Sequence, residues 1–397
     1  MVGNLIGRGI SQLSRCCAGE LTAVRRSVAV AASLILLMSG CGGSGAVPAA
    51  GTDGFVAYLD ATVSDLLEEH RVPGLTVALV SDGELAWSGA YGIRDATTRE
   101  PMRPDDVLQV ASVSKSVTAY AVMRLAQDGV LNLDVPIGDY LSRWQLPDST
   151  HDPDGVTARR LLSHTAGLST DGYPGLPLGD LPPTLESSLD GATGADPVEL
   201  VQAPGAGHRY SGGGYTVLQL VIEEITGQSF ADHVAEAVFA PLGMAGSTYD
   251  QAPPGGASPH GSDGAVIEGR RFVELAAAGL WSTAPDLARF LAAGILDPDP
   301  ATGLGADRVS EMLAPAAATD GSHALGFFVE QHGDGPVVVG HAGANAGWRS
   351  KILAIPELDA GIVILLNGEG GEAIHVELGC TWIAATAVLP SIDAACP

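Results

Sequence analysis

The chain has 397 residues, of which 46% are hydrophobic and 17% charged, and it carries a formal net charge of -26. That composition can bury a sizeable core and is not that of a disordered chain. The acidity argues against nucleic acid as a partner and against direct adsorption to anionic lipid heads, and it identifies no substrate.

The chain begins with a targeting pattern. Arg8, Arg15, Arg25 and Arg26 precede an apolar run from Val28 to Met38. The run falls short of the about 20 apolar residues a membrane span needs, and it has the length and flanks of a signal-peptide core. It ends in Met38-Ser39-Gly40-Cys41, which resembles a bacterial lipobox with Met where Leu is usual. The expectation is a signal peptide over 1–40, lipidation at Cys41, and a protein held by that lipid on the outer face of the cytoplasmic membrane. Cys16 and Cys17 would then be discarded. Cys380 and Cys396 would remain, two cysteines that can pair in an oxidising compartment.

Residues 41–54 are rich in Gly, Ala, Ser and Pro and read as a linker. Phe55, Leu59, Val63, Leu66 and Leu67 have helical spacing. Apolar runs 75–80 and 84–89 flank Asp82-Gly83, a hairpin signal. A second helix is predicted from Ser112 to Gln127, stopping at Gly129. From Leu131 to about residue 300 the chain is punctuated by Pro and Gly, with helical patches at 217–225, 230–239 and 284–293. Short β-prone runs return at 325–330, 336–340, 350–354 and 361–366, and a last helix covers 372–387. Strands at both ends and helices between them, without βα alternation, predict an α/β (α+β) fold. Its antiparallel sheet would join 55–130 to 320–397, with 131–319 as a mostly helical inserted subdomain. A site would lie in the groove between them.

The chemistry centres on Ser112-Val113-Ser114-Lys115. Positions i and i+3 share a helix face. Ser112 would sit at the helix N-terminus, where free N–H groups favour developing negative charge. A lysine one turn deeper, shielded from water, can accept the serine proton and make the hydroxyl a nucleophile. Lys115 and Lys351 are the only lysines, so chemistry that needs an amine has few candidates.

Five stretches, in order, carry a resemblance: 109–115 with Ser112 and Lys115, 156–168 ending Leu-Leu-Ser-His-Thr-Ala-Gly-Leu, 209–215 with Tyr210-Ser211-Gly212, 277–290, and 340–347 with His341-Ala342-Gly343. The chain from about Phe55 onward resembles the serine β-lactamase and penicillin-binding protein superfamily, on the side of class C β-lactamases, D-alanyl-D-alanine carboxypeptidases and related esterases. The resemblance implies a β-lactamase/transpeptidase-like fold and an acyl-enzyme on Ser112. It gives Lys115 and Tyr210 the proton transfers and His341 a place in the catalytic groove. It puts an oxyanion hole on the N–H groups of Ser112 and Ala344, and substrate contacts at Gly212, Gly343 and Asn345. Two departures stand out. Gly212 replaces the Asn of the Tyr-x-Asn motif, which in the family helps hold a substrate amide and the lysine. His341 replaces the Lys of Lys-Thr-Gly, keeping a hydrogen-bonding group but losing a permanent cation for a substrate carboxylate.

Competing patterns weigh less. Ser163-His164 are neighbours that do not face each other on a helix, so they read as structural. There is no Gly-x-Ser-x-Gly elbow, no His-Glu-x-x-His and no Cys-x-x-Cys, so no metal or other cofactor is expected. Asp95, Asp105 and Asp106 read as solvated loop charges. The leading expectation is an exported serine hydrolase of ester or amide substrates, acting on a small-molecule or peptide acyl donor. The alternatives are a D-amino-acid peptidase or β-lactamase acting on cell-wall peptides or β-lactams, and a non-catalytic binding lipoprotein on the same fold.

Overall fold

The alternation of apolar side chains along the N-terminal hairpin explains where the core divides. In a computed structural model, which describes residues 47–251, 253, 255–331 and 335–389, β1 (Gly74–Ser81) and β2 (Glu84–Gly92) pair across Asp82 and Gly83. Both turn residues have positive φ, 54° and 72°, the backbone that a tight two-residue hairpin turn needs. The leader and Cys41 lie outside the described residues, as does Cys396.

Four further strands complete the sheet: β3 (Phe328–Gln331), β4 (Val337–Asn345), β5 (Trp348–Ile355) and β6 (Ala360–Leu366). The order is β2-β1-β6-β5-β4-β3, antiparallel throughout. The sheet is therefore assembled from both ends of the chain. Successive side chains of a strand point to opposite faces. Leu75, Val77 and Leu79 of β1, with Ile362, Ile364 and Leu366 of β6, join one core, against α1 (Thr52–Glu69) and α5 (Gly371–Thr386). Ala78, Val80, Val363 and Leu365 join the other. Strands covered on both faces read as unbroken apolar runs, as these two do.

The second core holds α2 (Ser114–Gln127), whose residues from Ser114 to Met123 are all buried. It also holds α3 (Gly212–Thr226), buried from Gly212 to Ile222, and α4 (Ala284–Arg289), which continues with wider turns through Phe290–Leu296.

The structure differs from the sequence expectation in three places. The helical insertion expected over 131–319 takes in residues 284–296, where α4 packs on β1, β2 and β6. Thr52 already begins α1, so the last three residues of the expected linker are helical. The run 325–330 becomes strand only from Phe328. Before it, Gly326 takes φ 84°, and a Cβ there would lie 2.3 Å from Ala119 Cβ. Its carbonyl accepts a hydrogen bond from Ser116 Oγ at 2.7 Å. This segment is tied to α2 and cannot pair as a strand.

Candidate functional site

Ser112 lies in a short turn, Ala111–Val113, that leads into α2. Ala111 has φ 47°, a left-handed conformation that costs an alanine roughly 1–2 kcal/mol. The surroundings hold it there. Val110 N–H donates to the Leu280 carbonyl at 3.0 Å, and the Val110 carbonyl accepts from Ser350 Oγ at 2.7 Å. Ser114 Oγ donates to the Ala111 carbonyl at 2.5 Å and accepts from Leu280 N–H at 3.0 Å. Strand β5 and the segment around Leu280 thus fix the turn, and the strain sits next to the proposed nucleophile, where such strain tends to cluster.

Lys115 is 2% exposed. Its Nζ is 3.0 Å from Ser112 Oγ and donates to the Ala277 carbonyl at 2.7 Å. Among the described residues no carboxylate forms an ion pair with it. Nζ thus bridges the Ser112 hydroxyl and the backbone at Ala277. The rings of Tyr210 and Tyr215 flank it, with centroids 5.1 Å and 5.7 Å from Nζ. Tyr215 is fully buried and donates its hydroxyl to the Leu162 carbonyl at 2.8 Å.

Tyr210 is half-buried just before α3. Ser211 caps that helix, its Oγ accepting from Gly214 N–H at 3.0 Å. Gly212 is the first helical residue and has no side chain to bring to the lysine. A Cβ there would stand 3.0 Å from the Asp171 carbonyl and 3.4 Å from the Tyr173 ring. The place a motif asparagine would start from is crowded, and Lys115 donates its second hydrogen bond to the Ala277 carbonyl instead. The expected substrate contact at Gly212 is therefore limited to backbone.

On β4, His341 is 8% exposed and faces the same core as Ile352, its partner across the sheet. Its Nδ1–H donates to the Ala342 carbonyl at 2.6 Å, so Nε2 carries the lone pair. Burial, and then the neighbouring Lys115, push its pKa down to about 3. The imidazole is therefore neutral at neutral pH, and no cation stands here for a substrate carboxylate.

Gly343 was expected to let substrate approach the backbone. The structure gives it another reason. A Cβ at 343 would lie 2.3 Å from the Val110 carbonyl, 2.4 Å from Ser350 Oγ and 3.0 Å from Ser112 N. The missing side chain lets β4 press against the serine turn, which brings the next residue, exposed Ala344, beside it. Asn345 donates both amide hydrogens within the protein, to Gln109 Oε1 and the Ala278 carbonyl, each at 3.1 Å. Only its oxygen is left for a substrate, so its first role is to tie β4 to those segments. Cys380 is buried in α5 and disulfide-bonded.

Two readings are corrected. Asp106 is not solvated: it is 5% exposed and ion-paired to Arg94 at 2.9 Å. His164, set aside with Ser163, lies inside the site. Its ring centroid is 4.3 Å from that of Tyr210, and the rings of His208 and His323 stand 5.8 Å and 6.3 Å away. The signal was present, since His164 belongs to one of the stretches that carry the resemblance.

Buried His164 and His341 and half-buried His323 hold little affinity for protons. Burial is the first cause of the lowered pKa in His164, His323 and His341, which reaches about 4 in His323. The unfolded chain binds these protons near pH 6.5, whereas the folded protein refuses them until far lower pH. Stability from this source is full above 6.5 and is lost as the pH falls from there. The urea midpoint is expected to drop between pH 7 and pH 5.5, before carboxylates titrate. A flat midpoint over that window would show the rings to be hydrated in solution.

Residues 59–379 match the family described as Beta-lactamase. Protein flp of Staphylococcus aureus (strain MW2) is 25% identical over 324 residues, 78% of this chain and 62% of that protein. The chain thus spans less than two thirds of that relative's length. Esterase EstB of Burkholderia gladioli is 34% identical over 214 residues, 50% of this chain and 52% of that one. The octameric penicillin-binding protein homologue from Pyrococcus abyssi has the same fold, with a TM-score of 0.70 and 24% identity, over 84% of this chain and 77% of its own. With residues 59–379 inside the family match and Lys115 Nζ 3.0 Å from Ser112 Oγ, the chain belongs to the beta-lactamase family of serine hydrolases.

Proposed function

We propose that the protein is a hydrolase of esters or amides whose acyl group is carried on Ser112, and that it favours substrates lacking a carboxylate beside the scissile bond. The observation that carries this is the 3.0 Å contact between Lys115 Nζ and Ser112 Oγ, made by an amine with no acidic partner among the described residues. Ser112 Oγ attacks the carbonyl carbon, and its proton passes to Lys115. The oxyanion is received by the N–H groups of Ser112 and Ala344, donors worth roughly 3 to 4 kcal/mol each in comparable sites. Tyr210 gives its hydroxyl proton to the leaving group and takes the proton held on Lys115 in its place. Water then attacks the acyl-enzyme, giving up its proton along the same route, and Ser112 is restored.

The preference follows from His341 and Gly212. A neutral imidazole cannot pair with a carboxylate as a fixed cation does, and a glycine brings no side-chain amide to a β-lactam or peptide. The resemblance to Esterase EstB, at 34% identity over half of the chain, supports the ester reading. The leader pattern supports a location outside the cytoplasmic membrane, on a lipid at Cys41, as part of the same proposal.

The test is a substrate panel with active-site labelling. Activated short-chain esters are expected to turn over with a pre-steady-state burst, and a fluorophosphonate is expected to map to Ser112. Amidating the free carboxylate of a D-alanyl-D-alanine peptide should not slow its cleavage. An adduct on another residue would remove the mechanism. Strong preference for the free carboxylate would leave the mechanism standing and overturn the specificity.

A further inference from the structure

His164 contacts each residue of one three-residue segment, 209–211. It follows the short helix Ala158–Leu162 and has φ 57°, a left-handed conformation uncommon for a non-glycine residue, while being 4% exposed. Its carbonyl accepts a hydrogen bond from Arg209 N–H at 2.7 Å. Its Nδ1 accepts one from Ser211 N–H at 3.0 Å. Its ring lies 4.3 Å from the Tyr210 ring, inclined by 32°. The residues on either side of Tyr210 are therefore both bonded to His164, and the tyrosine ring packs on its imidazole.

The left-handed turn makes this arrangement reachable. It ends the helix and aims the carbonyl and the side chain of one residue at the same three-residue segment. The bond to Ser211 also sets the protonation state. An imidazole that accepts at Nδ1 must be neutral and carry its hydrogen on Nε2. Burial and the neighbouring Lys115 keep it so.

We propose that His164 is a positioning residue, a clamp that fixes the Tyr210 hydroxyl in register with Ser112 and Lys115. It touches no substrate and transfers no proton. The inference rests on Tyr210 serving in acid–base chemistry, as argued above. A displacement of about 1 Å in a catalytic group can cost about 100-fold in rate, so the clamp acts on kcat more than on KM.

The variants are chosen to spare the fold. Glycine adopts φ 57° without strain, so His164→Gly keeps the turn and the bond from Arg209 but removes the acceptor and the ring. Asparagine also tolerates this conformation, and its Oδ1 stands where Nδ1 was, so His164→Asn restores the acceptor alone. With an activated ester, His164→Gly is expected to lower kcat about 100-fold and to leave KM within a few-fold. His164→Asn should recover at least tenfold of that loss. Tyr210→Phe should lower kcat by roughly 100- to 10,000-fold. The double variant His164→Gly/Tyr210→Phe should be no slower than Tyr210→Phe, because the clamp has nothing left to hold.

Losses that multiply in the double variant would overturn the clamp and leave the mechanism intact. So would wild-type kcat in His164→Gly beside an impaired Tyr210→Phe. Wild-type kcat in Tyr210→Phe would instead remove the acid–base reading itself, and the clamp with it. If His164→Gly does not fold, His164→Asn carries the same cycle: its loss, from the missing ring, must also vanish in the Tyr210→Phe background.

Discussion

Replacing Ser112 by alanine is expected to abolish the burst and lower kcat by roughly 10^5- to 10^6-fold, the scale at which serine nucleophiles act. The side chain does little else. Its hydrogen bond in the structure is with Lys115 Nζ, and the amine keeps the Ala277 carbonyl when the hydroxyl is gone. The turn that holds position 112 is built from backbone atoms of residues 110 and 111 and from Ser114, Ser350 and Leu280. Thermal stability should therefore change by no more than a few degrees, consistent with a change of under about 1 kcal/mol. The residual rate should still exceed that of water by about 10^3- to 10^4-fold, since the oxyanion donors and the groove survive. Steady-state kinetics, a stopped-flow burst and intact mass after labelling measure all three. A Ser112→Ala protein that keeps its burst would end the proposed mechanism.

The second large effect is expected at Lys115. Lys115→Met keeps an unbranched side chain of similar length in a buried, aromatic-flanked position, but removes the amine beside Ser112 Oγ. Loss of a positioned base costs roughly 10^2- to 10^4-fold, and the upper part of that range is expected here. Lys115→Arg should do no better, because guanidinium presents donors and no acceptor. Stability separates the two. Methionine leaves the Ala277 carbonyl without its partner, which costs about 1–3 kcal/mol, and this is offset in part because a buried polar group is gone. Arginine adds volume and a fixed charge to a closed site and should destabilise more. Activity of Lys115→Met within tenfold of wild type would show that the serine proton goes elsewhere, with Tyr210 the remaining acceptor at the groove.

Much of this was legible from local pattern. Short β-prone runs flanking Asp82-Gly83 predict the hairpin because only certain residues accept the positive φ of a tight turn. Ser112 and Lys115 are three apart, and helical geometry alone puts them on one face. Where distant segments meet, local pattern is silent. Residues 284–296 look like any amphipathic helix, and only the buried face of β1 and β6 decides that they cover the sheet. Asp106 looks like a loop charge until Arg94 is beside it.

Chain order and short-range spacing determined by themselves that this protein pairs its two ends in one antiparallel sheet and carries a serine and a lysine on one helical turn. Tertiary structure alone decided what surrounds them. His341 is neutral because folding buries it near Lys115. Gly343 matters because the Val110 carbonyl comes to where its side chain would be. His164 reaches Tyr210 across 46 residues of chain because a left-handed turn directs it there. Charge state, close approach and long-range contact depend on what lies nearby in space, and spacing along a chain records that only within a turn of helix or a pair of strands.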